Sequence, residues 1–442
     1  MPTRPTISWS DLAGHTVGVW GLGVEGRANA AKLASLGVEP VLVDDAPPPG
    51  GLDGRPVLAT AAGGLEALAR CDAVVKTPGL SRYRLDVEAL AAGGTPVVGG
   101  LGLWLAEADR ARVLCVTGTK GKSTTTAVAG HLLAGLGYRV VTGGNLGVPP
   151  YAPGAPADAD WWVVEVSSYQ ATDVATSPPV VAVTSLHPDH LPWHRGDPET
   201  YYADKLSLCS QPGADLTVAN GDSPLLRDHR ALLGPRVEWV TAPDGPDALP
   251  AWAAPLGLLG RHNARNARIA RAALAALGVP GAGDDAALAA AAAGFTPLES
   301  RLCPVATVGG VLCVDDGLST NVLPTLAAVD AFPGRRVAVL VGGQDRGIDY
   351  APLAEGLAAR AAPTAAVVMA SEAAPRMRVA LAGGPTVIDG GDLADAVRAA
   401  VSWARPDGVV LLSPAAPSFD RYRDYRDRSA AFAAAVRSLL HE

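Results

Sequence analysis

Cysteine is scarce in this chain: five residues among 442, at positions 71, 115, 209, 303 and 313. Their odd number and wide spacing, with no C-x-x-C pair, imply neither a disulfide framework nor a thiolate zinc site. Net positive charge is also missing. The formal charge is −8, which gives no support to nucleic-acid binding and leaves any anionic ligand to be met by local basic groups. The N-terminal MPTRPTISWSD has no apolar h-region, and no uncharged apolar run reaches 18 residues. Membrane partners are not expected, and the chain reads as a soluble protein of the reducing cytoplasm. Neither a solenoid repeat nor an H-E-x-x-H helix is present. What remains is ample for burial. Apolar residues make up 48%, and 50 glycines and 37 prolines suit many short connections. The length is too great for one ordinary core and predicts about three domains.

Short apolar runs alternate with helical patterns, the signature of α/β folds. HTVGVWGLG, EPVLVDD and CDAVVKTPG read as strands of a first unit. RVLCVTG, YRVVTGG, WWVVEVSS, PVVAVTSL and ADLTVANG read as strands of a second, and RRVAVLVGG, TAAVVMA, PTVID and DGVVLLSP of a third. Expected boundaries lie near Ala111 and, after a long alanine-rich helix, near Phe295–Arg301. The domains are therefore 1–110, 111–298 and 299–442. The first and third are expected to be Rossmann-like, and the second a P-loop ATPase-like parallel sheet.

Two glycine-rich turns follow strands. Gly21-Leu22-Gly23-Val24-Glu25-Gly26 matches G-x-G-x-x-G, with Asp44 and Asp45 ending the next strand. That spacing fits a dinucleotide fingerprint. It fits equally a tight turn with no ligand, or a helix N-terminus holding another diphosphate. The second turn, Val116-Thr117-Gly118-Thr119-Lys120-Gly121-Lys122-Ser123, departs from the usual P-loop because Val116 stands at the first glycine place. Strand, turn and helix still aim backbone N–H groups at an anion. Lys122 can reach β/γ-phosphates and the Ser123 hydroxyl can bind Mg²⁺. A second lysine, Lys120, suits a highly charged γ-phosphate.

Glu165 ends the strand WWVVE, where ligands sit in parallel sheets and a carboxylate suits Mg²⁺. His187, His190 and His194 are broken up by Pro188 and Pro192, so helical zinc-ligand spacing is not expected; His190 is the candidate for a single contact. Lys205, in YYADKLSL, reads from its neighbours alone as a solvated helix lysine.

TGTKGKSTTT, GGNLG, EVSSYQ, DHLPWH, DKL and GRHNARNA follow one another in order, and LLSPAAPSFDRYRDY lies near the C-terminus. Together they resemble the ATP-dependent Mur ligase family of peptidoglycan precursor synthesis, in its glutamate-adding branch, essentially end to end. The T-G-T-x-G-K-[ST] form is that family's P-loop. Folate polyglutamylating ligases share it but lack the Gly21–Gly26 unit. The resemblance implies that the carboxylate of UDP-N-acetylmuramoyl-L-alanine attacks the ATP γ-phosphate, and that glutamate then displaces phosphate from the acyl phosphate. It implies ATP contacts at Gly118, Thr119, Lys120, Gly121, Lys122, Ser123, Thr124, Asn263, Asn266 and Arg301. It places two Mg²⁺ sites near Ser123, Glu165, His190 and Lys205, the last as a carbamate. Lys122, Glu165, His190 and Lys205 form the catalytic set. Gly21, Gly23, Gly26, Asp44, Thr77, Asn145 and Ser167 are implied for the UDP substrate, and Asp316, Thr320, Arg346, Ser418, Phe419 and Tyr425 for glutamate.

Departures point within the branch. Asp316-GLST-Asn321 has Leu318 where D-glutamate-adding enzymes carry lysine, Ser300-Arg301 replaces H-R, and Tyr425 fills the aromatic place. These resemble the rarer L-glutamate-adding subtype, which implies a separate downstream epimerase; a D-glutamate-adding ligase is the alternative. A monomer is expected. Two other classes stay open: an NAD-dependent oxidoreductase using Gly21–Gly26, and a non-catalytic nucleotide-binding protein.

Overall fold

The computed structural model describes residues 4–145, 147–156, 158–243 and 249–440. Three sheets organise it. The first is parallel and contains β1 (Val17–Trp20), β2 (Val41–Asp44), β3 (Leu58–Ala59), β4 (Ala73–Lys76) and β5 (Val97–Gly99), in the order β3-β2-β1-β4-β5. The second, also parallel, contains β6 (Val113–Thr117), β7 (Val140–Gly144), β8 (Trp161–Glu165), β9 (Val180–Val183), β10 (Leu216–Asn220) and β11 (Arg236–Val240), in the order β11-β10-β9-β6-β8-β7. The third contains β12 (Cys303–Val308), β13 (Val311–Asp315), β14 (Val337–Val341), β15 (Thr364–Met369), β16 (Thr386–Gly391) and β17 (Val409–Leu412), in the order β12-β13-β17-β14-β15-β16.

Valine-rich strands explain the sheets. β1, β4, β6, β9, β14, β15 and β17 are buried along their whole length, as parallel strands covered on both faces must be. Every strand expected from the sequence is present. β3, β5, β11, β12 and β13 were not expected. β11 lies at a sheet edge and is half-exposed, so its apolar signal is diluted. β12 and β13 form an antiparallel hairpin through Gly309-Gly310, both at positive φ. The third sheet is therefore mixed: the parallel strands of the expected Rossmann-like domain carry an antiparallel hairpin at one edge. The long alanine-rich helix is also corrected. It is two helices, Arg261–Ala276 and Asp285–Ala291, and the second starts where the Asp284 carboxylate caps Ala286 and Ala287 N–H groups.

The chain divides into two compact units. One holds the residues up to Thr241 with Arg265–Ala293, and so both parallel sheets; the other holds Ala242–Ala264 and the chain from Gly294 onward, with the mixed sheet. Within the first unit a large apolar core runs from Trp9, Val17 and Leu103 to Val164, Val181 and Leu206, and a smaller cluster gathers Trp20, Val43, Leu68 and Leu90. Among the described residues no helix is long and apolar enough to cross a membrane.

Candidate active site

β6 delivers the chain to a turn that only glycine can make. Gly118 has φ +131°, and a Cβ there would lie 2.2 Å from Thr184 Oγ1. Gly121, at φ +92°, precedes the helix Lys122–Gly135, and its Cβ would lie 2.7 Å from Asn266 Oδ1. The turn is fastened to the chain leaving β9. Thr119 N–H donates to Ser185 O and Lys120 N–H to Ser185 Oγ, each at 2.8 Å, while Thr184 Oγ1 donates to Lys120 O at 2.6 Å. Thr119 Oγ1 lies 2.9 Å from the Tyr201 hydroxyl. The result is a rigid, glycine-lined helix N-terminus, with Ser123 and Thr124 in its first turn and the helix dipole favouring an anion.

Two amines converge on this turn. Lys122 Nζ donates to Gly118 O at 3.0 Å and Thr119 O at 3.2 Å, and Lys205 Nζ donates to the same Gly118 O at 3.1 Å. Lys205 lies in the helix Pro198–Leu206 and is only 2% exposed, so the solvated-lysine reading is wrong. Its Nζ sits 5.1 Å from the Tyr201 ring centroid. Burial, and then the neighbouring Lys122 charge, hold its pKa well below the ordinary lysine range. Lys120 is more exposed and reaches Asp189 at 3.3 Å.

Glu165, at the end of β8, is 2% exposed. One oxygen accepts from Asn145 Nδ2 at 2.7 Å; Oε2 is buried without a hydrogen-bond partner. A buried, unsatisfied carboxylate oxygen is costly unless something else completes it, so the donor set fits a hard cation. His190 has φ +51° and a ring 5.4 Å from that of Tyr169. Its pKa is lowered by burial, which outweighs the opposing charge of Asp189. His194 is fully buried and committed elsewhere, 2.7 Å from Asp204 and 3.1 Å from Ser168 Oγ. Among the described residues no group of three or more His, Cys, Asp or Glu side chains is placed to hold a metal.

In the first sheet, β1 leads into the helix Val24–Ser35. A Cβ on Gly26 would lie 1.7 Å from Gly21 O, and one on Gly21 2.2 Å from Thr77 Cγ2. Close helix–strand approach therefore requires both glycines, whatever binds. Asp44 is turned inward, accepting from Leu22 N–H at 2.6 Å and Ala46 N–H at 2.8 Å. Ser167 caps the helix Ser168–Ala171 in a reciprocal box with Gln170. Asn263 and Asn266 share the helix Arg261–Ala276, and both are nearly buried.

In the unit holding the mixed sheet, candidate residues sit on loops. Asp316 follows β13 and is buried; its Oδ2 accepts from Ser413 Oγ at 2.8 Å, and burial pushes its pKa up to about 7. Ser418 is buried, Phe419 and Thr320 are exposed, and Tyr425 starts the helix Tyr425–Ser438. Arg346 is exposed in the loop after β14. Sequence reading missed Arg428, which is 1% exposed. Its guanidinium donates to Gly317 O, Ala416 O and Gly342 O at 3.0, 3.1 and 3.4 Å, tying together the three loops that carry these candidates. Burial lowers its pKa to about 10. Arg301 also lies in this unit.

Three α/β sheets with a lysine-bearing glycine turn opening the main helix of the middle one define a class: α/β proteins with a P-loop-like anion-binding turn. Family comparison narrows it. The Mur ligase middle domain matches residues 116–243, and the Mur ligase glutamate ligase domain matches residues 301–416. A UDP-N-acetylmuramoyl-L-alanine--L-glutamate ligase of a Micromonospora species is 42% identical over 97% of this chain and 98% of its own length. A pseudomurein peptide ligase type C from Methanothermus fervidus shares the fold at a TM-score of 0.56 and 15% identity, covering 96% of this chain and all of that one. A Mycobacterium tuberculosis folylpolyglutamate synthase, complexed with ADP and AMPPCP, has a TM-score of 0.51 at 17% identity, covering 75% of this chain and 92% of its own. The chain belongs to the Mur ligase family and is an amide-bond-forming ligase of peptidoglycan biosynthesis.

Proposed function

We propose that this ligase adds L-glutamate to UDP-N-acetylmuramoyl-L-alanine at the expense of ATP. A carboxylate oxygen of the UDP substrate attacks the γ-phosphorus and ADP leaves. The glutamate amine then attacks the acyl carbon, phosphate leaves, and the amine gives up a proton. Joining two ions as an amide in water is uphill, so phosphoryl transfer must drive it. Lys120 and Lys122 screen the crowded phosphates. Ser123, Glu165, His190 and a carbamate on Lys205 would hold Mg²⁺, which neutralises charge on the transferring group. Asn263, Asn266 and Arg301 are assigned to the nucleotide. Gly21, Gly23, Gly26, Asp44, Thr77, Asn145 and Ser167 are assigned to the UDP substrate, Asp44 also accepting from the Leu22 N–H of the turn. Asp316, Thr320, Arg346, Ser418, Phe419 and Tyr425 are assigned to glutamate.

The observation that carries this reading is the convergence of the Lys122 and Lys205 amines on the Gly118 carbonyl. Preference for L-glutamate rests on Leu318 and on the name of the Micromonospora relative. The enantiomers carry equal charge, so only geometry separates them. Phosphate release is measured with UDP-N-acetylmuramoyl-L-alanine and each pure enantiomer. L-Glutamate is expected to be at least about tenfold better in kcat/KM. A preference for D-glutamate would sink the subtype and leave the ligase reading standing.

A further inference from the structure

Glu25 occupies a variable place within the first glycine turn, in the first turn of the helix Val24–Ser35. An acid there normally faces solvent and helps the dipole. This one is folded inward. Its Oε1 accepts from Gln170 Nε2 at 2.7 Å, and its Oε2 lies 3.4 Å from the Tyr151 hydroxyl. The Gln170 amide has no freedom to reverse, because its Oε1 accepts from Ser167 N–H at 2.9 Å and lies 3.0 Å from Ser167 Oγ. A single chain of bonds thus joins the Gly21–Gly26 turn of the first sheet to the Ser167 turn of the second. Both turns are assigned to the UDP substrate, and the inference rests on that reading.

The surroundings decide the charge. Lys76 is the nearest cation, but it is buried in an ion pair with Asp173 at 2.5 Å, so little positive charge is left over. Asn29, one turn further along the same helix, and Tyr151 add no charge; Tyr151 is itself held neutral by burial and by Glu25. Burial, against the bonds from Gln170 and Tyr151, raises the Glu25 pKa to about 7. Neutral Glu25 still satisfies its neighbours: one oxygen accepts from Gln170 and the other can donate to Tyr151.

We propose that Glu25 is a positioning residue whose proton gates docking of a nucleotide diphosphate on the Gly21–Gly26 turn, by way of Gln170 and the Ser167 turn. An ionised Glu25 opposes a second anion at the same helix start. A neutral one keeps the link and removes the repulsion. Sugar diphosphodiesters do not titrate between about pH 6 and 8, so any change there belongs to the protein.

Calorimetric titration with UDP-N-acetylmuramoyl-L-alanine alone, without ATP or glutamate, tests this on the intact enzyme. With full coupling to a group of pKa about 7, Kd rises about tenfold between pH 6 and 8. Glu25→Gln is expected to hold the tighter low-pH value across the range. Glu25→Ala loses the link and should bind weakly at every pH; ATP-analogue binding is read in parallel to establish that each variant is folded. A pH-independent Kd in the wild type, or an undiminished rise in Glu25→Gln, overturns the gate while leaving the substrate assignment intact. Absence of wild-type binding at every pH overturns the substrate assignment and the gate with it.

Discussion

Lys205→Ala separates two accounts of one side chain. The change removes three methylenes from a buried site, worth about 2–3 kcal/mol of transfer free energy. It also removes the desolvation cost of a buried amine, about 1–3 kcal/mol on protein scales. The two nearly cancel, so stability is expected to move by no more than about 2 kcal/mol, read from the urea midpoint. Activity is a different matter. Burial and Lys122 keep the Lys205 amine deprotonated more readily than an ordinary lysine. A neutral amine attacks CO₂, forming an N–C bond and releasing a proton, and the resulting carbamate would stand as an anion beside Lys122. Loss of a preorganised charge at a phosphoryl-transfer site costs about 100-fold or more in kcat. Phosphate release should fall by that factor in Lys205→Ala and recover in part with formate or acetate, which fit the space left. Lys205→Arg should stay inactive, since it is cationic and too long. ¹³C-bicarbonate NMR of the wild type should show a carbamate carbon that the mutant lacks. Near-normal turnover in a folded Lys205→Ala enzyme would refute the reasoning.

Lys122→Ala should abolish phosphate release yet bind the UDP substrate within about threefold of wild type, because Lys122 belongs to the second sheet's turn and Gly21–Gly26 to the first; matching losses would show the assignment of sites is wrong. Gly26→Ala should destabilise the fold by at least about 2 kcal/mol, because its methyl meets Gly21 O, a backbone atom that cannot step aside; an unchanged denaturation midpoint would contradict this. Asp316 binds its proton more tightly folded than unfolded, so its contribution to stability is whole below its unfolded value of about 3.8 and fades as pH rises through about 7. Asp316→Asn should therefore gain stability over wild type at pH 8 by about 1–3 kcal/mol and show no gain at pH 4, while glutamate KM rises; a gain at pH 4 as large as at pH 8 would count against the buried-acid account.

The sequence exposed its architecture wherever strands were buried on both faces. VLCVT, VVAV and VAVLV are apolar throughout and needed no context. RVEWV, half in water, did not stand out. The two glycine turns were legible because their glycines answer to local geometry. Gly118 and Gly121 sit at positive φ, and Gly26 touches a backbone oxygen within its own turn. Lys205 and Arg428 were illegible for the opposite reason. Lys205 follows an aspartate in YYADKLSL and Arg428 ends the charged run RYRDYRDR, and for such residues solvation is the default. Chain segments distant in sequence decide otherwise: the Gly118 carbonyl for one, and the carbonyls of Gly317 and Gly342 for the other. No local pattern encodes a carbonyl supplied from about a hundred residues away.

The same physical device appears twice, and charge tells the two apart. Each glycine turn follows a buried strand and opens a helix whose N–H groups favour anions. In the second sheet the variable places hold Lys120 and Lys122, with Lys205 beneath. The two lysine charges at that helix start, Lys120 and Lys122, suit the high charge that develops on a transferring phosphoryl group, with Lys205 beneath as the proposed carbamate. In the first sheet, counted from the glycine that caps each helix, the corresponding places hold Leu22 and Val24, and Glu25 follows them. A turn without cations can hold a diphosphate through backbone N–H groups alone, but cannot offset charge that grows during reaction. Under the proposed function, chemistry therefore belongs at the second turn and anchoring at the first. An acid is tolerable in the anchoring turn because it is folded inward, hydrogen-bonded by Gln170 and protonated far more readily than an ordinary carboxylate, its pKa raised to about 7. Moved into the second turn, the same residue would oppose the phosphate where repulsion costs most.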